Sequence, residues 1–476
     1  MRARRIGPLH PDHTEGETIL ARMDNRGRAL RIGAGSAWWG DRIEPARWNA
    51  ERGNLDYLCF ETMAEATISA AQVRARRDPS FPGFDTYLDD RMRAVLPACI
   101  RNGTRIVTNQ GWINPAGAAQ RVVHWLREFG ARGVKVAAVH GGLITDRVLE
   151  LTDTILENGL PTSTLADSLV SAEVYLGAEP IVAALEAGAQ IVVTGRVADP
   201  SIFMAPMMHE FGWDALDHVH LGRGNGIGHL MECGAQVTGG YFSDPGFKDV
   251  PEPWTLAFPI AEVDADGSAV LTKVAETGGA INLATVKEQL LYEVHDPANY
   301  LTPDVVVDFT TTQLEEIGPD RVKVWGIGGK PRTPTLKVSI GCSEGYVGED
   351  MFFYAGMGAL RRAGLARRIL EERFRLVGLD ALDLRIDFLG LNAIHGGMTP
   401  ADAPEPYEIA VRVAARTRTR EEAMKVGREV DAMAVSGIAS TGKRVPHQDR
   451  TREVIGVWSS LVPRDRIHPT FELFES

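Results

Sequence analysis

Apolar and polar positions change their rhythm part-way along the chain. From residue 30 to about 245, short apolar runs alternate with amphipathic stretches. The runs "ALRIGAG", "LDYLCFE", "TRIVTN", "VKVAAVHGG" and "AQIVVTG" each stop at glycine or polar residues, as buried strands do. Between them apolar residues return at helical spacing: Leu88, Met92, Val95, Leu96 and Cys99, then Ala119, Val122, Val123 and Leu126. Continuous apolar strands separated by helices predict a parallel sheet covered on both faces. The expected fold class is α/β, with a doubly wound, mostly parallel sheet in the N-terminal half. A barrel is the alternative, because periodicity does not separate the two.

After "DPGFKDVPEPW" the texture changes. "PIAEVDADGSAVLTK" alternates apolar and polar residues around Asp266-Gly267, a strong hairpin signal. "VKVWG", "TLKVSIG", "LRIDFLGLNA" and "YEIAVRVAART" read as strands, and "ALRRAGLARRILEERF" and "TREEAMKVGREVDAMAV" as helices. The pattern predicts a polar arm over 1–29, an α/β domain over 30–250 and an α+β domain over 251–476. With no flexible linker between the two, they are expected to pack together and share a cleft.

Composition narrows the function classes. A chain of 476 residues, 44% hydrophobic and 24% charged, is ordinary globular material. A net charge of −12 argues against a nucleic-acid or anionic-membrane partner, since both attract basic faces. The apolar runs are strand-length, well short of the roughly 20 residues of a membrane span. Four cysteines without CxxC spacing suit reduced thiols in a cytoplasm. The twelve histidines form no HExxH pair, so no metal site is expected, though coordination by lone Asp or Glu stays open. A small-molecule substrate and a homo-oligomer are the expected partners.

Candidate chemistry gathers at strand ends. "GHLMECGAQVTGGYF" brings His229, Glu232 and Cys233 together before Gly239 and Gly240. On a short helix His229 and Glu232 share a face, so the carboxylate can orient the imidazole for proton transfer, with Cys233 pointing elsewhere. A routine helix pair followed by a turn is the plainer reading. Gly33, Gly35 and Ser36 close the first strand, where a glycine turn could cradle an anion or, with Glu61, a dinucleotide. Trp38 stands where that fingerprint wants glycine, and a tight turn explains the same residues. Asn109 and Gln110 end the third strand and could hold a carbonyl oxygen, while Asn114 reads as an N-cap before Pro115. His140 and Arg196 sit at the same level, and Arg196 could hold a carboxylate. Thr277, Gly278 and Gly279 precede a helix and could bind an anion, or merely lead into it. "GCSEG" fits a nucleophile-elbow pattern literally, but no amphipathic helix follows, and Ser343 is expected at a hairpin turn.

Several blocks resemble the acyclic terpene utilisation family: "RIGAGSAWWGDRIEPA", "GRVADPSIF", "GHLMECGAQVTGGYFSDPGFKDVP", "ETGGAINLATVKEQLLYEVHDPANYLTPDVV" and "REVIGVWSSLVPR". The resemblance spans roughly residues 28 to 465. Members often carry a further small ferredoxin-like domain at the C-terminus, expected to be absent after "LVPR". The resemblance implies bacterial breakdown of citronellol- and geraniol-type acyclic terpenes through CoA thioesters, with a lyase or hydratase-like step on a branched acyl-CoA. It implies no particular catalytic residues. Chemistry alone suggests His229 as general acid or base, Glu232 orienting it, and Asn109 with Arg196 holding a substrate oxyanion or carboxylate. A non-catalytic partner subunit and an NAD-linked oxidoreductase are the alternatives. The cofactor is left open.

Overall fold

A computed structural model describes residues 4–5, 28–443 and 450–476. The polar arm expected over 1–29 therefore falls almost entirely outside the described residues. The chain divides into two units, one of residues 1–341 with 457–476 and the other of 342–456.

The first unit is built on one mixed sheet. Its strands are β1 (Leu30–Ser36), β2 (Tyr57–Phe60), β3 (Arg105–Thr108), β4 (Lys135–His140), β5 (Ile191–Thr194), β6 (Pro259–Val263), β7 (Ala269–Lys273), β8 (Gln313–Gly318), β9 (Arg321–Trp325) and β10 (Thr470–Glu475). From edge to edge the order is Arg4–Arg5, β10, β4, β5, β3, β2, β1, β6, β7, β9, β8. Neighbours from β4 through β1 are parallel. β10 closes that block antiparallel on one side, and β6 to β9 extend it antiparallel on the other.

The change of rhythm near residue 250 thus marks a change of strand direction within a single sheet. The Asp266-Gly267 hairpin accounts for the first antiparallel pair beyond it, β6 with β7. The Asp264 N–H donates to Ser268 O at 2.8 Å, and Gly267 has φ of +81°, a backbone that glycine adopts without penalty.

The longer helices of this unit are α1 (Glu44–Arg52), α2 (Thr67–Arg77), α3 (Leu88–Asn102), α4 (Pro115–Glu128), α5 (Glu179–Glu186), α6 (Asp199–Phe211), α7 (His218–Glu232) and α8 (Leu283–Leu291). α3 touches both α1 and α4, whereas α5, α6 and α7 form a second consecutive group. The periodic residues Leu88, Met92, Val95, Leu96 and Cys99 are all buried on α3. α6 is apolar all round and buried from Pro200 to Met208, as an interior helix must be. Packed against it, α7 carries glycine at 222, 224, 226 and 228. A Cβ at Gly228 would lie 2.5 Å from Pro200 O, and one at Gly222 would lie 2.4 Å from Gly328 O. Close backbone approach on two sides fixes where the last turn of α7, with His229 and Glu232, comes to rest.

The second unit begins within strand Thr335–Ala355, at residue 342, and continues through helix α9 (Ala359–Leu376), strands Ala381–Leu389 and Glu408–Thr417, helix α10 (Arg420–Ser436) and the short strand Gly442–Lys443. The sheet order is 381–389, 408–417, 335–355, 442–443, antiparallel throughout. A β-α-β-β-α-β chain in that order is the ferredoxin-like arrangement, present here between residues 342 and 456. Phe352, Tyr354, Val411 and Val413 on the sheet pack with Ala363, Leu370, Val430 and Met433 on the helices. Ser343 lies inside the long strand rather than at a hairpin turn, and its hydroxyl donates to Glu453 Oε1 at 2.7 Å. Among the described residues no helix is long and apolar enough to cross a membrane.

Candidate functional site

Open α/β sheets leave a crevice beyond the carboxyl ends of their parallel strands. In the first unit that crevice is a cleft of about 560 Å³. The segment after β1 supplies Ala37, Trp38 and Asp41, and the end of β2 supplies Glu61, Met63 and Glu65. Asp199 comes from the first turn of α6, and Glu232 and Cys233 from the end of α7. The following turn adds Gly240 and Tyr241, and Tyr292 with Glu293 follow α8. Cys233 caps α7 rather than continuing it, so it faces the cleft beside Glu232 instead of turning away.

Glu232 is 94% buried, since its relative exposure is 6%. One carboxylate oxygen lies 2.9 Å from His229 Nδ1, while the other, Oε2, has no protein partner. His229 does not reach the cleft. It is fully buried between the rings of Tyr300 and Phe309, each 5.5 Å away. Burial pushes the imidazole down to about 4, so it stays neutral and serves to orient Glu232.

Glu61 is held by its own neighbourhood. Its Oε1 accepts from the Met63 N–H at 2.5 Å and from Asn109 Nδ2 at 3.0 Å. Asn109 is buried and accepts in turn from the Thr62 N–H and hydroxyl; it positions Glu61 and does not line the cleft. Arg196 lies behind the same wall. It donates to Met63 O at 2.9 Å, pairs with Asp199 Oδ1 at 3.4 Å and stacks 4.1 Å over the Tyr175 ring. Its positive charge thus offsets the protein's own carboxylates.

The electrostatics follow from this burial. Desolvation raises Glu61 and Glu232 well above the usual carboxylate range, and the neighbouring Asp199 charge raises both further. Asp199 is pushed up to about 6 by burial, against the pull of Arg196. Burial, then the Glu232 charge, raises the Cys233 thiol, which disfavours a thiolate nucleophile. Carboxyls whose environments differ while they share one cleft are the usual setting for an acid and a base. Among the described residues no group of three His, Cys, Asp or Glu side chains is placed to hold a metal ion.

The other expected residues lie elsewhere. Gly33 and Gly35 are inside β1 rather than at a turn after it, and a Cβ there would meet Leu55 and Phe60 at 2.5 and 2.6 Å. Packing explains them. Ser36 donates to Glu61 O, and Gln110 donates to Asp85 Oδ2 at 2.9 Å. His140 ends β4 beside β10, and it is not among the cleft residues. Gly239 turns the chain with φ of +108° against Val250. Thr277 donates to Val274 O, and the Gly278 and Gly279 N–H groups go to Thr255 O and Pro251 O, which leaves no free amide cradle there. Sequence reasoning did not single out Asp41, Glu65, Tyr241, Tyr292 or Glu293. Glu293 carries one local mark, a left-handed φ of +59°, of the kind that strain-bearing sites retain.

Beside the cleft lies a groove of about 700 Å³, sharing Gln236, Tyr241 and Tyr292 with it and lined further by Phe247, Lys248 and Lys287. The family model described as "Acyclic terpene utilisation family protein AtuA" matches residues 30–473. The chain belongs to that family. Membership carries involvement in acyclic terpene utilisation, and the matched span takes in every residue of the cleft. No curated protein and no solved structure matches the chain.

Proposed function

We propose that this member of the acyclic terpene utilisation family is a cytoplasmic enzyme that adds or removes water on a branched acyclic substrate. The substrate is carried as a CoA thioester or related carboxylic acid. The observation that carries the reading is the convergence of Glu61, Asp199 and Glu232 on one cleft, two of them buried and all three raised in pKa. In the elimination direction, protonated Glu232 gives its proton to a hydroxyl oxygen as the C–O bond breaks and water leaves. Ionised Asp199 takes a proton from the adjacent carbon, and the C–H electron pair becomes the C=C bond. Asn109 and His229 position Glu61 and Glu232, and Arg196 keeps Asp199 ionised. The acyl part enters the acidic cleft, while the phosphates of a thioester stay outside, nearer Lys248 and Lys287.

The test is incubation of the full chain with hydroxylated and unsaturated branched acyl-CoA thioesters and their free acids, read by mass spectrometry. Gain or loss of one water is the expected result. No change with any of them removes the enzymatic reading and leaves a non-catalytic subunit of the same pathway.

A further inference from the structure

We infer that the cleft is a receptor for organic positive charge, and that it selects an alkylammonium group over a carboxylate of the same shape. The inference deepens the water-transfer reading and rests on it for its role in turnover. Among the described residues six carboxyl groups line the cleft (Asp41, Glu61, Glu65, Asp199, Glu232 and Glu293), and no lysine or arginine does. Arg196, the cation behind the wall, already serves Asp199 and Met63 O.

A cluster of acids alone would say little, but Glu232 adds an independent sign. It is 94% buried at a relative exposure of 6%, it lines the cleft, and its Oε2 has no partner. A buried carboxyl oxygen without a partner is costly, and a positively charged ligand removes the cost by drawing the proton off Glu232 and pairing with the carboxylate left behind. Trp38, Tyr241 and Tyr292 contribute aromatic rings to the same wall, and ring faces attract cations. Among the described residues no three ligating side chains are grouped closely enough to cage a metal ion, and aromatic faces suit a diffuse cation. The chemistry left is a diffuse organic cation. In the proposed reaction it is the carbon that becomes positive as the C–O bond breaks and before the adjacent proton is lost. The carboxylates stabilise that charge more in the transition state than in the neutral substrate, which is how binding becomes rate.

The experiment uses three probes of matched length on the full chain: N,N-dimethyloctylammonium, 1-octanol and octanoate, each titrated by calorimetry. The cation is expected to bind about tenfold or more tightly than octanol, with octanoate weakest. Glu232→Gln should erase most of that preference while sparing octanol binding. Glu61→Gln is the second variant, should the first fail to fold. Octanoate binding as tightly as the cation overturns the inference, and so does a preference unchanged in both variants. Because binding is read without turnover, the two ideas fail separately. Water transfer without cation preference sinks only this inference, and cation preference without water transfer sinks only the reaction.

Discussion

Both units concentrate charge, yet they treat it in opposite ways. On the sheet of the second unit Arg412 lies between Glu349 and Asp387, at 2.8 and 3.0 Å, with all three side chains part-exposed. Arg450 bridges a buried carboxylate, Asp350, and an exposed one, Asp431. In the first unit carboxyls outnumber cations around the cleft, and two of them, Asp199 and Glu232, hold a buried oxygen without a hydrogen-bond donor. Paired, wet charges are a surface pattern worth little energy. Buried, unmatched ones work against folding and persist where a reaction or ligand uses them. The proposed chemistry accordingly lies in the first unit, where the unmatched acids are.

The largest expected effect tests that assignment directly. Glu232→Gln should lower kcat by about 10²–10⁴-fold, the usual weight of a general acid, with little loss of thermal stability. A drop of less than threefold would break the contrast. Next comes Arg196→Met, which strands buried acids and should cost about 3–5 kcal/mol in urea denaturation.

Glu173 sharpens the point away from the cleft wall. Both of its carboxylate oxygens are buried without a partner, and burial pushes it up to about 8. The native state therefore keeps this proton after the unfolded chain has lost it. The associated stability is complete below the ordinary value of 4.5 and is lost as pH rises through about 8. Glu173→Gln should be near neutral at pH 4 and stabilise the protein by about 1–3 kcal/mol at pH 9. Equal shifts at the two pH values would count against a buried, unpaired acid. The smallest effect belongs to the second unit, where Arg412→Ala should change stability by only about 0.5–1 kcal/mol; a loss comparable to that of Arg196→Met would erase the distinction.

Much of the fold was legible in the sequence because local rules fix it. The apolar stripe of α3 and the Asp266-Gly267 hairpin both stand where the pattern places them. So does the Asn114 N-cap, which accepts from the Gly117 N–H at 3.0 Å. The site was legible in part. The His229–Glu232 pair forms as its three-residue spacing requires, but which partner faces the cleft depends on Tyr300 and Phe309, from much further along the chain, closing over the imidazole. The glycines of β1 were legible as special positions without their reason, because Leu55 and Phe60 supply it from elsewhere in the chain.

The sequence by itself determined the elements, the parallel core and the family, since hydrophobic period, turn chemistry and block order are properties of neighbouring residues. Only the tertiary structure decided that strands on both sides of residue 250 share one sheet and that a ferredoxin-like unit occupies 342–456. It also decided that Glu61, Asp199, Glu232 and Glu293 meet at one cleft. Strand pairing and the desolvation of a carboxyl depend on what arrives from far along the chain, and no local spacing encodes that arrival.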